Sequence, residues 1–179
     1  SLGQREPTSR VLVMCLGSNI GNLNPHETHR FLAEIRDQCR LGDQLLLGVD
    51  LIKPEEDLLL AYDDPLGVTA AFNKNLLSRI NRELDADFDL SLFKHRVVWK
   101  PGTACIESYL ESQCDQIVCV RGASCCVSFT EGELIWTESS YKYEPENIIS
   151  VGTDAGFSRL AQWIEPESKF ALTLFEVQK

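Results

Sequence analysis

No apolar run in this sequence approaches the roughly 20 residues that a membrane-spanning helix needs. The polar stretch Ser1–Arg10 also lacks the apolar centre of a signal peptide, so a cytoplasmic location is expected. Basic charge is scarce: 17 Lys and Arg stand against 27 Asp and Glu, a formal net charge of −10. That balance argues against a nucleic-acid backbone or an anionic membrane surface as partner. Paired metal-ligand spacings are missing as well. The seven cysteines include no Cys-x-x-Cys, are odd in number, and mostly sit in apolar, strand-like surroundings where cysteine acts as a small hydrophobe. Neither zinc nor a disulfide is expected of them. His26 and His29 have H-x-x-H spacing without a third ligand and read as solvated side chains. The chain also has no G-x-G-x-x-G nucleotide fingerprint, which should lie on a strand ahead of Val11. Either the fold uses no nucleotide or the chain begins in its middle.

What is present is a globular composition, 44% apolar over 179 residues, enough for one domain with a core or for parts of two. The apolar run from Val11 ends abruptly in Gly17, Ser18, Asn19, Gly21 and Asn22 and is followed by a helical pattern. It reads as a strand covered on both faces that ends in a polar loop, the edge where open α/β sheets bind ligands. An ordinary strand-to-helix turn is the alternative. Pro25 opens a helix to about Arg40 with Phe31, Leu32 and Ile35 on one face, and Gln44–Asp50 follows as a second buried strand. These elements make half of a doubly wound sheet.

Beyond Asp50 the pattern changes. A short helix runs from Pro54 to Tyr62, and a longer one from Val68 to Leu84 repeats Phe72, Leu76, Leu77, Ile80 and Leu84 at helical spacing. Strands are then expected within 97–99, 106–110, 117–120, 126–129 and 134–137, separated by Pro101-Gly102, Gly122 and Glu131-Gly132 turns. Pro145 starts a last helix, and 160–164 and 170–177 read as strands returning to the first sheet as its antiparallel edge. The expected division is 1–51 as core, 52–142 as an inserted α+β domain and 143–179 as the return to the core. Thr137-Glu-Ser-Ser-Tyr-Lys-Tyr143 places a carboxylate and hydroxyls at a strand end near that return, where small molecules often bind. Strand alternation puts Glu138 and Ser140 on one side, able to grip one polar group; a solvated edge is the alternative.

Five ordered motifs then add up to a family: Leu16-Gly-Ser-Asn-Ile-Gly-Asn22, Leu46-Leu-Gly-Val-Asp-Leu-Ile-Lys53, Ala61-Tyr-Asp-Asp-Pro-Leu-Gly-Val-Thr-Ala-Ala-Phe-Asn73, Asn81-Arg-Glu-Leu-Asp-Ala-Asp-Phe-Asp89 and Thr137–Tyr143. Together, over nearly the whole chain from Val11, they resemble the histidine-specific, S-adenosylmethionine-dependent methyltransferases of ergothioneine biosynthesis. The resemblance implies an α/β fold, a partial class I (Rossmann-like) methyltransferase core carrying an inserted substrate-binding domain. It implies methylation of the histidine α-amine to the trimethylated betaine hercynine. It further implies that the chain is a C-terminal portion, inactive alone, with the main S-adenosylmethionine loop upstream and the full-length protein a monomer. By the same resemblance Asn22 binds the substrate, Tyr62 is a substrate-binding and catalytic residue, and Glu138 with Ser140 holds the imidazole. Gly17 touches both substrate and cofactor, Ser18 touches the cofactor, and no metal is involved. Asn19 and Ser108 depart from the family pattern and leave open another amino acid or amine as acceptor, or a substrate-binding remnant without activity.

Overall fold

The computed structural model describes Glu6 and residues 9–178, so most of the polar stretch Ser1–Arg10 lies outside the described residues. In chain order the elements are β1 (Leu12–Cys15), α1 (Pro25–Gln38), β2 (Gln44–Asp50), α2 (Glu55–Tyr62), α3 (Val68–Leu84), β3 (Phe93–Lys100), β4 (Cys105–Ser112), β5 (Gln116–Val120), β6 (Cys125–Phe129), β7 (Leu134–Tyr141), α4 (Pro145–Asp154), β8 (Phe157–Glu165) and β9 (Phe170–Val177). Two compact units result, one of residues 1–53, 103–105 and 139–179, the other of 54–102 and 106–138.

The first unit is built on a four-stranded sheet in the order β1-β2-β9-β8. β1 and β2 are parallel, and β9 is antiparallel to both β2 and β8. The C-terminal strands therefore return to the sheet, but the antiparallel strand is internal and β8, which runs the same way as β2, forms the edge. Leu45, Leu47, Val49, Phe157, Phe175 and Val177 meet Leu32 of α1 and Ile148 of α4 in one core. Each such side chain contributes roughly 1.5–3 kcal/mol by leaving water. α1 starts where expected because Asn24 and Glu27 close a reciprocal capping box ahead of Pro25. β1 is not covered on both faces: Val13 and Cys15 pack on the core, while Leu12 and Met14 are 47% and 62% exposed. Parallel strands are normally buried on both sides, so this open face sets β1 apart from β2.

The second unit combines α2 and α3 with a three-stranded sheet, order β3-β4-β7, and the β5-β6 hairpin. Its core joins Leu77, Phe93, Leu110, Val118 and Phe129, with the Phe93 and Phe129 rings edge to face at 5.5 Å. The inner stripe of α3 is Asn73 and Leu77, four residues apart; Phe72, Leu76 and Leu84, expected on the apolar face, are exposed. β3 begins at Phe93, earlier than expected, and β7 continues through Tyr141. The expectation of no disulfide is also overturned: Cys119 and Cys126 are bonded. They are directly opposite residues in the β5-β6 register, so the hairpin itself brings them within reach. The other five cysteines are thiols. No helix among the described residues is long and apolar enough to cross a membrane.

Candidate functional site

In the first unit the loop after β1 is shaped by two successive left-handed residues, Gly17 (φ 77°) and Ser18 (φ 60°). A Cβ at Gly17 would meet nothing within 4 Å, so its backbone is open to close approach by a ligand. Gly21 is constrained differently: a Cβ there would lie 2.8 Å from the Tyr141 carbonyl oxygen, so only glycine lets the loop pack on the end of β7. Buried Ile20 pins the loop, while Asn19 and Asn22 are exposed. A cavity of about 450 Å³ opens at the C-terminal end of β1, lined by Met14, Leu16, Asn19, Ile20, Leu23 and Phe31 and by Cys15, whose thiol pKa burial pushes up.

A polar chain ties this loop to the end of β7. The Asp50 amide, at the end of β2, donates to Ser18 Oγ at 2.9 Å. The Asp50 carboxylate lies between two lysines, with Oδ1 2.8 Å from Lys53 Nζ and Oδ2 3.0 Å from Lys142 Nζ. Lys142, whose side chain is 1% exposed, donates in turn to Ser140 Oγ at 2.9 Å. Backbone bonds hold the same junction, from the Tyr143 amide to the Asp50 carbonyl and from the Lys142 amide to the Ala104 carbonyl. Burial pushes the Tyr143 phenol pKa up.

In the second unit Tyr62 is the last residue of α2 and is half-buried. Its carbonyl is 2.9 Å from His95 Nε2, and His95 Nδ1 is 2.9 Å from Asn73 Nδ2. The same Asn73 nitrogen donates to the Tyr109 carbonyl at 3.2 Å, which sets the amide's orientation. Nδ1 is then an acceptor, and the ring's single proton sits on Nε2, donated to Tyr62. Asp64 follows closely and accepts from the Val68 and Thr69 amides at 3.0 and 2.7 Å, capping α3. Those amide bonds, Thr69 first, lower its pKa to about 2. Glu138 is half-buried on β7, two residues before Ser140. Ser108 is buried on β4, and its carbonyl accepts from the Thr137 hydroxyl.

Of the residues singled out in the sequence, Gly17, Ser18, Asn22 and Ser140 belong to the first unit, Tyr62 and Glu138 to the second. The structure links Ser18 to Ser140 through Asp50 and Lys142. It also adds residues that sequence reasoning left without a role: Asp50, Lys53 and Lys142 in the first unit, Asn73 and His95 in the second. All but His95 lie inside the quoted motifs, which was the signal available. Among the described residues no group of three or more His, Cys, Asp or Glu is placed to hold a metal ion.

A family model described as histidine-specific, SAM-dependent methyltransferase matches residues 2–177. The chain is 43% identical over 173 residues to a histidine N-alpha-methyltransferase of Mycolicibacterium smegmatis, covering 97% of this chain and 54% of that protein. It is 42% identical over 165 residues to the protein of the same name from Mycobacterium tuberculosis, covering 92% and 51%. It is 28% identical over 172 residues to ergothioneine biosynthesis protein 1 of Schizosaccharomyces pombe, covering 94% of this chain and 22% of that one. The chain thus spans about half the length of the two bacterial relatives.

Proposed function

Because the chain belongs to the histidine-specific, S-adenosylmethionine-dependent methyltransferase family, we propose that the whole protein methylates the α-amine of histidine, three times, to give hercynine. The observation that carries this reading is the hydrogen-bonded chain from the Ser18 loop to Ser140, which joins residues of three family motifs in one polar cluster. A bacterial relative of matching name supports the substrate, and the fungal relative's name supports a product destined for ergothioneine.

Bound S-adenosylmethionine supplies a methyl group on a positively charged sulfur, open to in-line displacement. The residues present fit part of it: Gly17 leaves open backbone, and the neighbouring cavity offers apolar walls with the neutral Asn19 amide for a flat heteroaromatic ring. Gly17 and Ser18 would hold it here.

The chain's own residues bind and orient the amino acid. Asn22 holds its polar end, and Gly17 admits it beside the loop. Glu138 accepts the ring N–H, and Ser140 takes the other ring nitrogen. The Tyr62 hydroxyl orients the amine with its lone pair presented, and accepts its proton second. Positioning of this kind supplies much of such a reaction's acceleration, since no covalent enzyme nucleophile is needed. A cytoplasmic monomer completes the reading; five thiols agree with a reducing compartment, where the Cys119–Cys126 bond is the exception.

The test is mass-spectrometric assay of the full-length protein with S-adenosylmethionine and each of the amino acids. Stepwise gain of three methyl groups on histidine is expected. Turnover of a different amino acid or amine, with histidine untouched, would overturn the assignment.

A further inference from the structure

Resting on that reading of Tyr62, we propose that His95 is a positioning residue which fixes the end of α2, and with it the Tyr62 side chain, through a main-chain bond whose polarity is set by Asn73. Tyr62, Asn73, His95 and Tyr109 all belong to the second unit. Tyr62 ends a helix of 8 residues in which Leu58 is the one buried residue. Helices this short are marginal on their own, and the carbonyls of the last turn have no amide ahead of them in the helix. The Tyr62 carbonyl is such a group, and His95 Nε2 lies 2.9 Å from it. Two residues on, the Asp64 carboxylate accepts from the Val68 and Thr69 amides, so the connection between α2 and α3 is held on both sides of Asp63.

The neutral ring makes this bond in one tautomer only. The Tyr109 carbonyl can only accept, so the Asn73 group 3.2 Å from it is the amide nitrogen, and the second hydrogen of that nitrogen is directed at His95 Nδ1, 2.9 Å away. A ring with its proton on Nδ1 would set donor against donor at Asn73 and lone pair against lone pair at Tyr62. With the proton on Nε2 both contacts are hydrogen bonds. His95 and Asn73 are 6% and 9% exposed, so water does not readily stand in for either partner, and a polar group left unmet there costs more than one at the surface. The end of α2, α3, β3 and β4 are thereby joined in one chain of bonds. Because the bond from His95 runs to the main chain of Tyr62, it holds the place of that side chain whatever the side chain is. His95 touches no substrate in this reading; it acts through the Tyr62 hydroxyl, whose distance from the amine it sets.

The experiment measures histidine kinetics on the full-length protein and on His95→Asn, His95→Gln, Tyr62→Phe and the Tyr62→Phe/His95→Asn double variant, each shown to be folded by circular dichroism. Asn is too short to reach the Tyr62 carbonyl, whereas Gln can place an amide N–H near the position of Nε2. A displacement of about 1 Å at a group that orients the reacting atom can cost about 100-fold, so His95→Asn should lower kcat by about tenfold or more, with the S-adenosylmethionine KM within about twofold. His95→Gln should recover kcat to within about threefold of the unmodified protein. In the Tyr62→Phe background His95→Asn should change kcat by less than about twofold, because the hydroxyl that the bond positions is already gone. If His95→Asn does not fold, Asn73→Ala, which removes the tautomer lock, takes its place in both backgrounds with the same non-additivity expected. Additive losses in the double variant, a His95→Gln loss as large as that of His95→Asn, or a rise in the S-adenosylmethionine KM parallel to the fall in kcat would each overturn the proposal. An unchanged kcat in Tyr62→Phe overturns the reading of Tyr62 and this inference together, whereas a large loss in Tyr62→Phe with additive losses in the double variant overturns the inference alone.

Discussion

Replacing Asn73 by Ala tests the support beneath Tyr62. The Asn73 amide nitrogen makes two bonds, 2.9 Å to His95 Nδ1 and 3.2 Å to the Tyr109 carbonyl, and is 9% exposed. Losing two neutral bonds removes roughly 0.5–1.5 kcal/mol each, and leaving the buried Nδ1 without its donor adds roughly 1–3 kcal/mol. Because these terms overlap, the expected loss is about 2–4 kcal/mol, read from urea unfolding of the full-length protein. Asn73→Asp separates the proton argument from packing. A carboxylate cannot donate to Nδ1, so only a ring protonated on both nitrogens satisfies the introduced carboxylate and the Tyr62 carbonyl together. The charged ring is then favoured in the folded state, so the Asp variant's deficit should shrink on acidification. Since the ring's Nε2–H holds the last residue of α2, Asn73→Ala should also lower kcat/KM for histidine. A loss below about 0.5 kcal/mol for Asn73→Ala, or a pH-independent deficit for Asn73→Asp, would refute the argument.

Three further outcomes are expected. A Cβ at Gly152 would lie 2.4 Å from Phe175 Cε1 in the first unit's core, so Gly152→Ala should cost about 1–3 kcal/mol and lower Tm; an unchanged Tm would mean that the ring moves aside freely. The folded pKa of Asp64, about 2, lies below its ordinary value of 3.8, so its cap on α3 contributes fully above 3.8 and is lost as pH falls toward about 2. Asp64→Ala should accordingly flatten the acid limb of a stability–pH curve, and an identical limb in both proteins would count against the cap. The Cys119–Cys126 bond closes a separation of 7 residues, which loop-closure entropy values at about 2.5 kcal/mol, so a reductant should destabilise the protein while leaving a Cys119→Ser/Cys126→Ser variant unaffected. Equal sensitivity of the two would show that the bond adds nothing to stability.

The sequence reveals an element most clearly where local pattern and tertiary environment agree. β2 and β9 have their expected bounds because both are internal strands of the sheet, and their apolar runs are long and cleanly ended. β8 is longer than its apolar part because an edge strand keeps Ser158 and Arg159 in register with β9 without needing them buried. β1 has the same apolar look as β2 but an open face, and composition cannot tell a strand covered on both faces from one covered on a single face. In α3 the expected apolar face included Phe72, Leu76 and Leu84, which are exposed, and the buried stripe runs instead through Asn73, a polar residue bonded to His95 22 residues away.

The same physics governs the candidate site. Glycines, hydroxyls and a carboxylate at element ends are visible locally, and they drew attention to Gly17, Ser18, Glu138 and Ser140. Lys142 is not visible in that way, since a lysine two residues beyond a serine reads as surface. It is buried because Asp50, in a motif 92 residues earlier, arrives at the end of β2 to neutralise it. A buried charge tolerates neither loss of its partner nor a large shift in position. Motif residues such as Asp50 and Asn73 therefore have their polar atoms spent on distant residues, Lys142 for the one and His95 for the other. A local pattern cannot show this, because it depends on which distant residue occupies the other end of the bond.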